Sequence, residues 1–197
     1  MPRNTDDKGG TEMSWNTQIL AWAAAATLGS GVALAQEMTF GGDEDQAYAA
    51  DLWAVMADAK LVGEGMVRSF PYDGVAPHGM MLETFYTTAS VNGHSGALVV
   101  KRNFGPEGVS IDEVLADPGK HLGAVTVMFQ REDGYDPETQ NWFWAKYLPD
   151  GTLDKNPKGM ALAGLVGKNA DVGCIACHSG EDDYLFTTDA MVGMAMK

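Results

Sequence analysis

After a Gly41-Gly42 turn, apolar positions recur along the chain at intervals of three and four residues. This spacing predicts an amphipathic helix from Asp43 to about Val62, with Asp43 as its N-cap. A stretch rich in Pro and Gly, residues 70–79, then excludes regular structure. The pattern up to this point is one helix followed by an irregular loop.

The chain from residue 80 to residue 148 contains runs rich in aromatic and β-branched residues, which predict β-strands. Strands are expected at residues 80–88, 97–102, 124–130 and 141–148. Between the second and third runs, Ser110 and Glu113 form a capping box that predicts a short helix, which Asp117-Pro118-Gly119 is expected to end. No repeat or linker divides the chain, so we predict one α+β domain, a mostly antiparallel β-sheet with flanking helices.

An uncharged stretch, residues 19–35, precedes this domain and ends in Ala33-Leu34-Ala35, a small-x-small pattern typical of signal-peptidase sites. We therefore expect residues 1–35 to be a signal peptide cleaved after Ala35, and residues 36–197 to form the single mature domain in the periplasm. The segment before the apolar stretch is more acidic than basic, unlike a usual signal peptide, which makes Met13 an alternative start. An uncleaved N-terminal anchor is the alternative to cleavage.

The chain is strongly acidic, with 13 Lys+Arg against 27 Asp+Glu and a formal charge of -14. Loss of residues 1–35 removes two basic and three acidic side chains and leaves -13. The electrostatic field of so negative a chain would repel nucleic acid and anionic membranes, so neither is expected as a partner. It would attract a basic redox partner such as a cationic cytochrome c, although solubility alone is the simpler explanation.

The sequence Cys174-Ile175-Ala176-Cys177-His178 is a C-x-x-C-H motif. Its two thiols can each add to a haem vinyl group, and the adjacent imidazole can then bind the iron. A structural zinc site needs four protein ligands, and the chain has no second pair of cysteines to complete one. A thioredoxin-like redox pair would lack the adjoining histidine. A disulfide is the remaining alternative in an oxidising compartment. We predict one covalently bound haem c with His178 as the proximal iron ligand.

The sixth position on the iron is left unassigned by the sequence. An electron carrier uses a strong sixth ligand, usually Met or a second His. The chain has 12 methionines, and its other histidines are His78, His94 and His121. Methionines usually fill cores and a lone histidine in a loop is usually a surface residue, so neither type identifies a ligand.

Several further blocks accompany the haem motif in a fixed order. They are VVKRNFGPEG (residues 99–108), LGAVTVMF (122–129), GYDP (134–137), NWFWAKY (141–147), PDG (149–151), GCIACH (173–178) and DYLFT (183–187). On these blocks the chain, from about Pro71 to Thr188, resembles the cytochrome P-460 family, which includes the cytochromes c′-β. All c-type cytochromes share C-x-x-C-H, whereas the NWFWAKY block is far more specific.

The resemblance implies a mostly antiparallel β haem protein, often a homodimer, with one pentacoordinate c-type haem. In the enzymatic branch a lysine is cross-linked to the porphyrin, and the enzyme oxidises hydroxylamine to nitrous oxide or nitric oxide. Lys101, late in a strand that begins after Gly96, matches that lysine. The alternative is an ordinary strand-end lysine with its ammonium group in water.

The enzymatic branch also places a distal carboxylate on the strand after that of the lysine. Here that strand shows Val125, Val127, Met128 and Phe129, with Glu132 only at its end, and Glu83 on an earlier strand is the other carboxylate considered. An apolar distal pocket would favour the cytochrome c′-β role, in which nitric oxide binds without turnover. A monohaem electron-transfer cytochrome with Met or His as sixth ligand is the third hypothesis.

Overall fold

The computed structural model describes residues 40–186; the predicted signal peptide lies outside these residues. The elements in chain order are α1 (Asp43–Asp58), β1 (Tyr72–Asp73), β2 (Met81–Val91), β3 (His94–Phe104), α2 (Ile111–Ala116), α3 (Pro118–His121), β4 (Leu122–Gln130), a 3-10 turn (Pro137–Thr139), β5 (Trp142–Tyr147), β6 (Ala163–Gly164) and α4 (Cys174–His178). None of the helices in this part of the chain is long and apolar enough to cross a membrane.

The strands form one six-stranded sheet in which each strand pairs antiparallel with the next along the chain. The predicted α+β fold with an antiparallel sheet is confirmed. Strands β2 and β3 are longer than predicted, because a two-residue turn at Asn92-Gly93, both with positive φ, joins them into a tight hairpin. Strands β1 and β6 have two residues each, too short to produce a periodic pattern, and were missed.

Helix α1 begins where predicted but ends earlier. Its N-cap is Gly42 and not Asp43, and the Asp45 carboxylate accepts a hydrogen bond from the Gly41 N–H at 2.8 Å. The helix ends at Asp58 because the backbone turns left-handed at Lys60, with φ 58°. Leu61 and Val62, which follow the helix, lie in a turn but are still buried in the core. Their apolar character continues the helical spacing, which is why the spacing overestimated the length of the helix.

One face of the sheet carries the main core and packs against α1. The helix contributes Leu52 and Met56, both fully buried, and the Tyr147 hydroxyl donates a 2.8 Å hydrogen bond to the Ala49 carbonyl. The sheet residues of this face include Leu98, Val100, Val125, Val127, Phe129, Phe143 and Ala145. We call it the helix face.

A buried ion pair also lies on the helix face. The Glu83 carboxylate is fully buried and accepts hydrogen bonds from Arg102 at 2.9 Å and from Arg68 at 2.8 Å. Arg102 donates further bonds to the Leu61 and Val67 carbonyls. The two fully buried charges, Glu83 and Arg102, therefore pair with each other and are hydrogen-bonded, as buried charges require, while the second cation, Arg68, is partly exposed.

The predicted capping box is present at the start of α2. The Ser110 hydroxyl accepts from the Glu113 N–H, and the Glu113 carboxylate accepts from the Ser110 N–H at 2.9 Å. The predicted helix stop is only partly correct. Helix α2 ends at Ala116, but Pro118 opens a second short helix, α3, capped by the Asp117 carboxylate.

Candidate haem site

The opposite face of the sheet, here called the site face, carries a mixture of apolar and polar side chains. The strand register places there Thr84 and Tyr86 of β2, Val99, Lys101 and Asn103 of β3, Thr126 and Met128 of β4, and Trp142, Trp144 and Lys146 of β5. Ile175 of α4 packs into the apolar cluster on this face. The C-x-x-C-H helix therefore lies on the same side of the sheet as Lys101.

Helix α4 can reach this position because of a close glycine contact. Gly173, at φ 128°, lies so near Gly167 that a Cβ on Gly173 would meet the Gly167 Cα at 2.7 Å. The following five residues form one short helix, with the Cys177 N–H donating to the Gly173 carbonyl. A side chain at either glycine would push the helix off the sheet.

The two thiols of the motif are not joined to each other. Cys177 is exposed, whereas burial raises the pKa of the Cys174 thiol to about 11. Metals bind the thiolate, so a metal at Cys174 would first have to displace the proton of a thiol whose pKa burial raises. A neutral thioether suits the apolar surroundings of Cys174 better than a thiolate–metal bond does.

His178 is held in an orientation suited to iron. Its side chain is buried, and its Nδ1 lies 2.7 Å from the Tyr184 carbonyl oxygen, which leaves Nε2 for a metal. Trp144 contacts the ring edge-to-face, with centroids 4.8 Å apart. Burial, partly offset by the Tyr184 carbonyl, lowers the pKa of His178 and so favours the neutral imidazole that metals bind.

Lys101 is half-buried in the middle of β3, opposite Thr84 on one side and Thr126 on the other. It is therefore not a strand-end lysine extended into water. Burial lowers the pKa of its amine, and within residues 40–186 no carboxylate offsets that effect. After burial, the charge of Lys101 is a further cause that lowers the pKa of both His78 and His178, which indicates that the amine lies near both imidazoles.

Neither carboxylate considered from the sequence lies on the site face. Glu83 is on the helix face between two arginines, and the exposed Glu132 pairs with Arg131 at 2.7 Å. Of the four apolar residues considered on the next strand, Met128 lies on the site face. Val125, Val127 and Phe129 face α1, and the residue opposite Lys101 is Thr126, a hydroxyl that apolar patterning had passed over.

The three remaining histidines have different environments. His78 lies against the site face, its Nδ1 3.4 Å from the Thr126 hydroxyl and its ring centroid 6.2 Å from that of His178. His94 lies near the Gln130 carbonyl, at 3.1 Å, and contacts Phe129 on the helix face. His121 is buried with its Nδ1 3.2 Å from the Gly105 carbonyl. No local feature of the sequence distinguished His78 from the other two.

Unpartnered buried atoms indicate what this face can hold. Among residues 40–186, four buried side-chain atoms lack a hydrogen-bond partner, and three of them belong to the site face: Asn103 Oδ1, Trp142 Nε1 and Trp144 Nε1. The two indole N–H groups are donors that haem carboxylates could satisfy, whereas Asn103 Oδ1 is an acceptor that needs a donor. Together with two free thiols and an oriented imidazole, they fit a c-type haem.

Within the same residues, no group of three or more His, Cys, Asp or Glu side chains is placed to hold a metal ion directly. Comparison of the chain with family models, with curated proteins and with solved structures gives no match. Any functional conclusion therefore depends on the residues and contacts described above.

Proposed function

We propose that this protein is a periplasmic monohaem c-type cytochrome that oxidises hydroxylamine, as cytochrome P-460 does. Cys174 and Cys177 would hold the haem through thioethers, and His178 would be its proximal ligand. The observation that carries the proposal is the position of Lys101, a half-buried lysine on the same face as the C-x-x-C-H helix.

The bound haem would supply a redox-active iron that accepts electrons from the substrate nitrogen. The chain contributes orientation and exclusion of water. The Tyr184 carbonyl fixes the His178 ring, and Val99, Met128 and Trp144, all nearly fully buried, form an apolar floor beside it. A dry floor of this kind strengthens the electrostatic interactions made within the site.

Lys101 would be the residue cross-linked to the porphyrin. A desolvated amine is uncharged at lower pH than an exposed one, and only the uncharged amine is a nucleophile. Joining Nζ to a ring carbon removes one hydrogen from each atom, so the step needs a two-electron oxidant. Hydrogen peroxide would serve, being reduced to two molecules of water.

Hydroxylamine oxidation must also release electrons. Conversion of two hydroxylamines to nitrous oxide and water releases four electrons and four protons, and conversion of one to nitric oxide releases three of each. A basic cytochrome c, attracted by the acidic surface, is the class of acceptor we propose. The resemblance also implies a homodimer.

The absorption spectrum of the dithionite-reduced protein, matured with its haem in a periplasm, tests the proposal. A Soret band far to the red of an ordinary ferrous c haem is expected, because the cross-link modifies the porphyrin. The variant His178→Ala, which keeps both cysteines, is the control for proximal ligation. An ordinary high-spin spectrum would contradict the cross-link.

An ordinary high-spin spectrum would favour the cytochrome c′-β role, which is binding of nitric oxide without turnover. One observation favours it, namely that Glu83 and Glu132 both lie away from the site face and cannot act as the distal base. A low-spin spectrum in both oxidation states would instead favour an electron-transfer cytochrome with a sixth protein ligand.

A further inference from the structure

We propose that Tyr86 of β2 and Gln140, which follows the 3-10 turn, are positioning residues for the proximal histidine, because they anchor the segment that orients His178. The segment is residues 179–186, here called the strap, and its position sets how strongly the imidazole donates to the iron. The inference deepens the proposed function and rests on one part of it, the binding of iron by His178. It does not depend on a cross-link at Lys101 or on oxidation of hydroxylamine.

The ring of His178 is held by three neighbours, and two of them belong to the strap. Its Nδ1 lies 2.7 Å from the Tyr184 carbonyl oxygen. A carbonyl can only accept a hydrogen bond, so Nδ1 carries the proton and Nε2 keeps its lone pair for the iron. The ring of Phe186 contacts the imidazole edge-to-face, with centroids 5.1 Å apart, and Trp144 of β5 does so at 4.8 Å. The strap therefore determines both the orientation of the imidazole and the strength of its Nδ1 hydrogen bond.

The strap holds Tyr184 in a backbone conformation that residues with a side chain rarely adopt. Its φ is 63°, in the left-handed region. Such a conformation persists where surrounding contacts determine it, and it is found mostly at functional sites. One of these contacts is made by the residue itself, since the Tyr184 hydroxyl donates to the Glu138 carbonyl at 3.1 Å. The strained residue is the one whose carbonyl meets His178.

Two side chains outside the strap fix it on either side of Tyr184. The Gln140 amide donates to the Asp182 carbonyl at 2.6 Å, and the Tyr86 hydroxyl donates to the Phe186 carbonyl at 3.0 Å. One anchor is on β2 and the other comes just before β5, so the strap is tied to two strands of the sheet. Loss of either bond would let the Tyr184 carbonyl move from Nδ1 without altering any residue that touches the imidazole.

The Nδ1 hydrogen bond affects the metal because it makes the imidazole a stronger donor. A stronger donor stabilises ferric iron relative to ferrous iron, so the reduction potential of the haem falls as this bond tightens. Loosening the strap should therefore raise the potential, whatever occupies the sixth position on the iron.

The reduction potential of the holoprotein tests the assignment without any need for turnover. Tyr86→Phe and Gln140→Leu each remove one anchor and should favour the ferrous state. We expect the equilibrium constant against a fixed redox couple to change by roughly threefold or more.

Two matched controls make the same chemical changes away from the strap. Tyr72→Phe removes a hydroxyl that lies 2.7 Å from the Thr84 hydroxyl, and Gln46→Leu removes an amide that donates to the Gly41 carbonyl at 2.9 Å. Both should keep the wild-type potential.

The iron–histidine stretching band in the resonance Raman spectrum of the ferrous protein gives a second readout, and it should move to lower frequency in both anchor variants. Unchanged potentials and bands in folded Tyr86→Phe and Gln140→Leu would overturn the proposal, as would equal shifts in the controls. The expected shifts in a protein that has no porphyrin cross-link and does not oxidise hydroxylamine would support the positioning role and refute only the hydroxylamine proposal.

Discussion

Lys101 and Arg102 are adjacent in the chain, yet their side chains lie on opposite faces of the sheet. Lys101 faces the C-x-x-C-H helix opposite Thr126, and Arg102 is buried under α1 in an ion pair with Glu83. Successive side chains of a β-strand point to opposite faces of the sheet, so the two cations are separated by the sheet itself. The Glu83 carboxylate compensates the charge of Arg102, whereas burial lowers the pKa of Lys101 and, within the described part of the chain, no carboxylate offsets that effect.

Replacing Lys101 with Ala should abolish any porphyrin modification and leave the thioether-bound haem in place. Hydroxylamine oxidation should fall to background, and the reduced Soret band should return to an ordinary position. Lys146→Ala is the matched control, because Lys146 also lies on the site face but pairs with Asp154 at 2.8 Å. Undiminished oxidation in Lys101→Ala would refute the proposed role.

Replacing Glu83 with Gln should destabilise the protein by on the order of 3 kcal/mol, because it leaves the buried Arg102 without its counter-charge. Urea unfolding measures the change. Glu132→Gln, which breaks an exposed ion pair, should cost less than about 1 kcal/mol. Neither substitution should alter hydroxylamine oxidation by the folded holoprotein; loss of activity in folded Glu83→Gln would mean that the carboxylate acts in the site.

Replacing Gly79 with Ala should force the His78 loop away from β3, because the new Cβ would meet the Phe104 backbone at 2.5 Å. We expect a stability loss of roughly 1–3 kcal/mol, as for other overpacked sites, which urea unfolding measures. Gly123→Ala is the control, since its Cβ would lie at an ordinary 3.6 Å from the Asn103 carbonyl. An unchanged free energy of unfolding in Gly79→Ala would mean that the loop does not pack against β3 as closely as these contacts indicate.

Cys174 should react slowly with iodoacetamide in the haem-free protein. Its pKa of about 11 leaves, at pH 8, a thiolate fraction on the order of a hundredfold below that of an ordinary cysteine. Because the pKa is raised, the rate should climb steadily as the pH increases from 8 towards 11. Mass spectrometry of the two modified sites should show the exposed Cys177 reacting first; equal rates at pH 8 would contradict the burial of Cys174.

Electron exchange with a cationic cytochrome c should slow as ionic strength rises. Residues 36–197 carry a formal charge of -13, which would attract a basic partner over a distance that added salt shortens. The second-order rate constant can be measured by stopped flow between about 0.01 and 0.15 M salt. Over this range the electrostatic screening length falls from about 30 to 8 Å. A rate independent of salt would mean that the acidic surface serves only solubility.

Features that depend on neighbours along the chain were predictable from the sequence. The long strands, the capping box of α2 and the antiparallel α+β class all follow from patterns a few residues wide, and the structure confirms them. The end of α1 was not predictable in this way, because Leu61 and Val62 continue the apolar pattern after the backbone has left the helix at Lys60.

By itself the sequence determined that Cys174, Cys177 and His178 lie together, because neighbouring positions in one short helix are close in space, and this arrangement is the basis of the haem prediction. Only the tertiary structure decided which distant side chains join them. Thr126 faces Lys101 through strand register, Glu83 lies on the other face, and His78 arrives from a loop held by backbone contacts. Each of these placements depends on pairing between segments far apart in the chain, and no local pattern of residue types records that pairing.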